Sequence, residues 1–324
     1  MVKTEVLKTL EIKKGSPVSG EALANTLGVS RTAVWKAINN LKKEGYPIET
    51  INGKGYILSA NSNKLSMEAI TNHLKHDLDV LVYKEVASTN TTAIGIANTN
   101  PQKDMLIVSE EQTSGKGRRG RYFYSPKDNG IYMSLLFKPN MDMNKSILIT
   151  TAASVAVMRA IKELTGLELK IKWVNDLFLN DKKVCGILTE AVTDFESGQI
   201  SYVVVGIGIN CSNVDVPEEF KDIVGALNYS NLDKNKLIAL ICDNLLNIIS
   251  DIQKEDRSFL LEYKTSSMLL GKDINVYKST MINEQAGIPA KAIDINNDGG
   301  LVIQLEDGTI STLSTGEVSV RLNK

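Results

Sequence analysis

Seven consecutive residues, Gly115-Lys116-Gly117-Arg118-Arg119-Gly120-Arg121, hold three glycines and four cations. Glycine lets a backbone wrap closely around a ligand, and the cations neutralise anionic oxygen, so the run suits phosphate or carboxylate. The string satisfies G-x-G-x-x-G, but a dinucleotide fingerprint needs a helix directly after it. Here Tyr122-Phe123-Tyr124-Ser125-Pro126 follows, then the turn Asp128-Asn129-Gly130, and no helix can open there. A Walker A loop is excluded too, because Gly117 stands where Ser or Thr must follow Lys116. Composition leaves three readings open: a loop that closes over an anionic ligand, an RG-type nucleic-acid contact, and a solvated loop.

Other strings carry groups of the same kind. Lys172-Trp173-Val174-Asn175-Asp176 ends a strand with two hydrogen-bonding or metal-capable side chains. Lys183-Val184-Cys185-Gly186-Ile187-Leu188-Thr189-Glu190 sets a lysine at the mouth of an apolar strand. Val203-Val204-Val205-Gly206-Ile207-Gly208-Ile209-Asn210 reads as a buried strand whose glycines permit close backbone approach. Each has a bland alternative: Trp173 as core, Lys183 as a surface cap, Asp176 as a turn former. Cys185, Cys211 and Cys242 match no metal spacing, and an odd count argues against a disulfide framework. With His73 and His76 as the sole histidines, a His-centred triad or metal cluster is improbable.

The elements that must position these groups alternate between helix and strand periods. Helices are expected over 66–74, 91–97 (with Asn90 as cap), 147–164 and 232–252. Strands are expected over 81–85, 105–110, 131–137, 169–173, 177–179, 183–190 and 201–209, with a hairpin at Asn180-Asp181. Many hairpin-linked strands beside segregated helices argue for α+β rather than a doubly wound sheet. Five short strands, 274–277, 288–295, 301–305, 310–313 and 318–322, predict a small C-terminal β-barrel.

The 324 residues carry 37 Lys and Arg against 38 Asp and Glu, which excludes a uniformly basic nucleic-acid coat. The near-zero sum hides an asymmetry: residues 1–60 hold nine basic and five acidic side chains, net +4, and the remainder is net −5. In that basic part a helix through Val6, Leu7 and Leu10 is stopped by Gly15-Ser16-Pro17, a second spans 20–27, and Gly28-Val29-Ser30 turns into a third that ends at Gly45. Ser30 is its expected N-cap. Val34, Trp35, Ile38 and Leu41 are assigned to its apolar stripe, with Trp35 in the core. Thr32, Lys36, Asn39, Asn40 and Lys43 line the other side. This is the helix-turn-helix pattern. Asn52-Gly53 between 49–51 and 56–58 adds a hairpin, so the expectation is a winged variant. Ser30, Arg31, Thr32, Lys36, Asn39, Asn40, Lys43 and the hairpin tip Lys54 are the candidate DNA contacts. The alternative is a three-helix unit that never meets DNA. Asn61-Ser62-Asn63 reads as a linker. The polar start is unlike a signal peptide and no apolar run approaches membrane-spanning length, so a cytoplasmic protein with no membrane partner is expected.

Taken in order, the strings resemble the bifunctional biotin protein ligases, the biotin operon repressor type. The resemblance rests on Ser88-Thr89-Asn90, the glycine-basic loop after Gln112, Lys-Trp-x-Asn-Asp, Lys-x-x-Gly-Ile-Leu-x-Glu and Gly-x-Gly-x-Asn, and covers essentially the whole chain. It implies a winged helix-turn-helix over 1–62, a mixed α/β ligase domain like class II aminoacyl-tRNA synthetases over 63–269, and an SH3-like domain over 270–324. It implies biotin, ATP and Mg2+, with biotinyl-5'-AMP made first and biotin then passed to a lysine of a biotin carboxyl carrier protein. By the same resemblance Arg118, Lys183 and Asp176 are catalytic, Asp176 contacting Mg2+ or orienting Lys183. Ser88, Thr89, Asn90, Gln112, Lys116, Gly117, Arg118, Lys183 and Gly186 would bind biotin. Arg118, Arg119, Arg121, Lys172, Trp173, Asn175, Asn210 and Arg321 would bind ATP or the adenylate. Operator DNA and an adenylate-dependent homodimer are the further implied partners. The family usually has Arg at Lys116, Pro at Val174 and Trp at Phe123; Lys116 keeps the charge and loses the bidentate fork. The competing readings are a ligase whose N-terminal unit does not bind DNA, and a transcription factor with a dead ligase core.

Overall fold

The structure is a computed structural model, and it describes residues 2–139, 146–193, 200–213, 216, 218–278, 287–314 and 318–322. Two compact units emerge: residues 1–75 with 230–240, and residues 76–229 with 241–324. Among the described residues no helix is long and apolar enough to cross a membrane.

The first unit runs α1 (Val2–Ile12), α2 (Gly20–Leu27), α3 (Arg31–Lys43), β1 (Ile48–Ile51), β2 (Gly55–Leu58) and α4 (Met67–Thr71). Local chemistry sets these boundaries. Ser19 Oγ accepts from Ala22 N and Ser30 Oγ from Ala33 N, each satisfying an orphan donor in a first turn. Gly28, at φ 61°, closes α2 in the left-handed conformation that a side chain disfavours. Strands β1 and β2 pair antiparallel, from Ile48 opposite Leu58 to Ile51 opposite Gly55. Gly55 is required: a Cβ there would lie 2.2 Å from Val18 O. Three helices and the hairpin close around Val6, Leu10, Leu23, Val34, Ile38, Leu41 and Leu58.

Three expectations need correction in this unit. Trp35 is not core; it is 54% exposed, and Ala37 takes its place in the stripe. At 100° per residue, 34, 37, 38 and 41 cluster on one face, and position 35 lies about 100° from 34. Helix α4 is a short turn capped by Ser66, whose Oγ accepts from Ala69 N, rather than a helix to 74. Segment 61–63 is tied down where a linker was expected. Ser62 is buried, and Asn63 bonds the Leu232 carbonyl and the Lys234 amide. The third helix keeps its expected span and its expected cap, Ser30, and Arg31 pairs with Glu21 at 2.6 Å.

Glu11 is the electrostatic oddity of this unit. Burial, with Asp233 and Glu68 nearby, raises its carboxyl from 4.5 to about 7, against the opposing pull of Lys14. Its folded pKa exceeds its unfolded one, so ionising it in the native state costs stability as pH rises from about 4.5 through about 7. Glu11→Gln should therefore raise the melting temperature relative to wild type at pH 8 and close that gap at pH 5. A constant difference across that range in calorimetry would contradict this.

The second unit is built on a seven-stranded sheet. Its strands are β3 (Asp79–Tyr83), β4 (Met105–Ser109), β5 (Gly130–Phe137), β6 (Lys170–Lys172), β7 (Asp176–Leu179), β8 (Lys182–Thr193) and β9 (Ile200–Asn210). The order is β3-β4-β5-β9-β8-β7-β6; only β3–β4 is parallel, joined through α5 (Thr89–Ala97). The α+β expectation holds, with β3 two residues earlier than expected. α5 packs through Ala93 and Ala97 onto Ile107, Leu136 and Val204. Its cap is Ser88, not Asn90: Ser88 Oγ accepts from Thr91 N, so Asn90 is free to turn into the protein. α6 (Ser146–Thr165) lies on β7 and β8, and α7 (Lys234–Gln253) follows β9. α8 (Phe259–Ser266) was not expected; its apolar spacing over eight residues is too short to register as periodic.

Five C-terminal strands fall where expected: β10 (Asp273–Lys278), β11 (Ile288–Ile295), β12 (Leu301–Leu305), β13 (Ile310–Leu313) and β14 (Val318–Leu322). They form one antiparallel sheet, ordered β13-β12-β11-β10-β14. The antiparallel order agrees with the expected small C-terminal β domain. Asn296 Oδ1 holds the β11–β12 turn by accepting from Asp298 N and Gly300 N.

Candidate active site

Strand register lines up the site before any loop is considered. Tyr132, Gly208, Gly186, Asp176 and Lys172 are consecutive cross-strand partners over β5, β9, β8, β7 and β6. Ser134, Gly206 and Leu188 form a second row two residues away, on the same face. Lys183 would point to the opposite face from Gly186 by simple alternation. A bulge prevents this: Leu177 pairs with Cys185 but Phe178 with Lys183, so Val184 is the extra residue. Lys183 is thereby rotated onto the site face, and its Nζ lies 2.6 Å from Asp176 Oδ1.

The glycines of these rows make room for protein rather than directly for ligand. A Cβ on Gly206 would sit 2.1 Å from Asn90 Oδ1, and one on Gly208 2.5 Å from the Phe123 ring. Asn90 Nδ2 donates to Leu188 O at 3.2 Å and to Glu190 Oε2 at 2.6 Å. Ser134 Oγ is 2.6 Å from Asn90 Oδ1 and 2.7 Å from Thr89 Oγ1, and Thr89 donates through N and Oγ1 to Gln112 Oε1. Gln112 Nε2 continues to Ser125 Oγ at 2.9 Å. Ser88, Thr89, Asn90, Gln112, Ser125 and Ser134 are all buried and uncharged, so this network is fixed, with the half-buried Glu190 carboxylate at its edge.

The glycine-cation run is the tip of a tight hairpin. Gln112 N bonds Ser125 O, Phe123 N bonds Gly115 O, and Gly117 N bonds Arg121 O at 2.7 Å. Gly115 is obligatory, because its Cβ would fall 2.3 Å from Phe123 O. Arg119 and Gly120 are left-handed, at φ 61° and 69°. Arg118 turns inward and its Nη1 donates to Asn175 Oδ1 at 3.1 Å. Asn175 is itself pinned, Nδ2 to Ile187 O at 2.7 Å. Burial and then Arg119 lower the Arg118 pKa, and Asp176 opposes them. Trp173 is buried, with Nε1 donating to Gly299 O at 3.0 Å, and Asn210 Nδ2 donates to Gly225 O at 2.9 Å.

These parts surround a cavity of about 350 Å3. Ser88, Thr89, Asn90, Gln112, Lys116, Gly117, Arg118, Arg119, Arg121, Lys172, Trp173, Asn175, Asp176, Lys183, Gly186 and Asn210 all line it. Arg321 lies on β14, paired with Asn275, and its side chain is outside the described residues, as are Gly316 and Glu317. Sequence reasoning missed Phe123, Tyr122, Phe220, Ile223 and Met133, which make the apolar walls, and the buried Ser134. Only the aromatic cluster after the loop signalled any of them. Six cations face one carboxylate, Asp176, among the lining residues. The cavity therefore suits a polyanion next to a neutral, hydrogen-bonding group.

Comparison with known proteins sharpens this. A model of the biotin/lipoate A/B protein ligase family matches residues 82–210, an HTH domain model residues 3–57, and a biotin protein ligase C-terminal domain model residues 282–321. The bifunctional ligase/repressor BirA of Bacillus subtilis is 35% identical over 302 residues, covering 90% of each chain. The chain belongs to the bifunctional biotin ligase/repressor family. The Escherichia coli member is 29% identical over 307 residues, 94% of this chain and 92% of that one. Among solved structures, the biotin protein ligase of Aquifex aeolicus in complex with biotin and ATP superposes with a TM-score of 0.63 at 25% identity, over 76% of this chain and 99% of that one. Family membership accounts for both halves of the molecule at once: the helix-turn-helix unit and the cationic cavity.

Proposed function

We propose that the protein is an ATP-dependent biotin protein ligase and a biotin-responsive transcriptional repressor, organised as 1–62 for DNA, 63–269 for biotin and ATP, and 270–324 as the C-terminal domain. The ligase reading rests above all on Arg118 and Lys183, which anchor on the consecutive residues Asn175 and Asp176 beside the neutral Ser88–Gln112 network. Biotin offers a neutral ureido ring and a carboxylate. The network suits the ring, and the two cations suit the carboxylate and the α-phosphate. A carboxylate oxygen attacks the α-phosphorus and pyrophosphate leaves, giving biotinyl-5'-AMP. A carrier lysine amine then attacks the acyl carbon and AMP leaves. Two anions repel as they meet, so fixed cations lower the barrier without reorganising. Asp176 holds Lys183 Nζ in place.

Among the described residues, Asp176 is the single carboxylate lining the cavity, and no group of three His, Cys, Asp or Glu able to hold a metal occurs. Asp176 would be the protein group that holds Mg2+, together with the phosphate oxygens of ATP, and the ion would neutralise charge on the triphosphate. Mixing the protein with biotin, ATP, Mg2+ and an apo carrier domain tests this half; absence of transfer to the carrier overturns it.

The repressor half rests on the exposed Thr32, Lys36, Asn40, Lys43 and Lys54 of a helix-turn-helix with a hairpin. Biotinyl-5'-AMP acts as corepressor by promoting a homodimer, which matches a two-fold operator. The combined Lys36→Ala, Lys43→Ala and Lys54→Ala variant should bind operator DNA with a salt slope shallower by about two to three. It should ligate biotin at the wild-type rate. An unchanged salt slope in gel-shift titrations would remove these lysines from the DNA contact.

A further inference from the structure

We infer that Trp35 reads sequence: its indole packs against the 5-methyl group of a thymine in the major groove. This rests on the DNA-binding reading above and deepens it. The other apolar residues of the α3 stripe, Val34, Ala37, Ile38 and Leu41, are exposed by 5% or less, whereas Trp35 is 54% exposed. It sits in the N-terminal half of α3, the half that a helix-turn-helix directs at base edges. Its neighbours along the helix surface are Arg31 and Thr32 one turn before and Ile38 and Asn39 one turn after, with Lys36 adjacent. Ile38 is buried in the core; the others are polar, and Arg31, Thr32 and Lys36 are exposed. An indole ringed by cations and hydrogen-bonding side chains matches a surface of phosphates and base edges that also carries an isolated apolar spot. In duplex DNA the base faces are stacked on one another, so intercalation is not needed to give Trp35 a partner. The apolar feature that the major groove offers is the thymine methyl, and it distinguishes T·A from the other three pairs.

The expected contribution is that of one buried methyl, about fourfold in affinity. Duplexes are enriched from a random-sequence pool by the full chain in the presence of biotin, ATP and Mg2+. Each thymine of the best duplex is then replaced by uracil, which removes only the methyl group. One thymine per half-site should show the fourfold loss in the wild type. Trp35→Ala should bind the thymine and uracil duplexes equally, and Trp35→Phe should retain discrimination. A wild-type circular-dichroism spectrum and melting profile of the full chain show that each variant is folded. As an independent readout, the chain has two tryptophans, of which Trp173 is buried, so acrylamide quenching reports chiefly Trp35 and should fall on binding the thymine duplex. Discrimination that persists in Trp35→Ala, or a wild type indifferent to every uracil, overturns the inference while leaving the repressor reading intact. Failure to enrich any duplex overturns both.

Discussion

Arg118→Ala should lower the rate of biotin-dependent ATP–pyrophosphate exchange by about 10²–10³-fold, the loss seen when one fixed donor to a developing charge is removed. The residue is the inward-turning cation of the hairpin tip, fixed to Asn175 and half-buried. Burial strengthens its field on a bound carboxylate and phosphate, because less water screens it. Arg119 and Arg121 cannot substitute: Arg119 is held left-handed, and Arg121 lies beyond it on the exposed return arm. Arg118→Lys should recover only part of the rate, since an ammonium cannot donate to Asn175 and straddle a ligand as a guanidinium does. Loss within threefold of wild type would remove Arg118 from the reaction and with it the central element of the ligase mechanism.

Gly206→Ala should raise the KM for biotin by about tenfold or more and cost about 1–3 kcal/mol of stability through overpacking. One added carbon would meet Asn90 Oδ1 at 2.1 Å and Asn90 Cγ at 2.8 Å. Asn90 cannot retreat without releasing Leu188 O, Glu190 and Ser134, and breaking buried hydrogen bonds is costly. The disturbance passes through Thr89 to Gln112, so the ureido side of the cavity loses its order. In the proposed ligase mechanism ATP is held by the cations of the loop and by Lys183, so its KM should change much less. Gly95→Ala is the matched control: it lies on the same helix as Asn90 with open space around its Cβ, so it should be neutral or slightly stabilising. Equal effects of the two substitutions on biotin binding would disprove the account.

Much of the site was legible in the chain because its chemistry is local. The loop declares itself through three glycines and four cations in seven residues, and the following Tyr-Phe-Tyr-Ser-Pro rules out a helix. The structure brings all of the expected ligase residues with described side chains to one cavity. Trp35 shows where local reading failed. Hydrophobicity placed it in the stripe, but a residue next to Val34 is rotated by 100°, and only the packed core decides which of two adjacent apolar residues is inside. Ser88 and Asn90 show the same limit. Both are good caps, and the competition was settled by a buried socket for Asn90 at Gly206.

The sequence by itself determined the elements whose causes lie within a few residues: the cap at Ser30, the Asn-Gly hairpin, the α+β alternation, the five C-terminal strands and the cationic loop. Tertiary structure alone decided which strands are neighbours, and therefore that Lys172, Asp176, Gly186, Gly208 and Tyr132 form one row. It alone turned Lys183 toward Asp176, through a bulge at Val184 that breaks the period of two. The reason is physical: register is fixed by hydrogen bonds and packing to strands distant in the chain, and a one-residue shift sends every side chain to the other face.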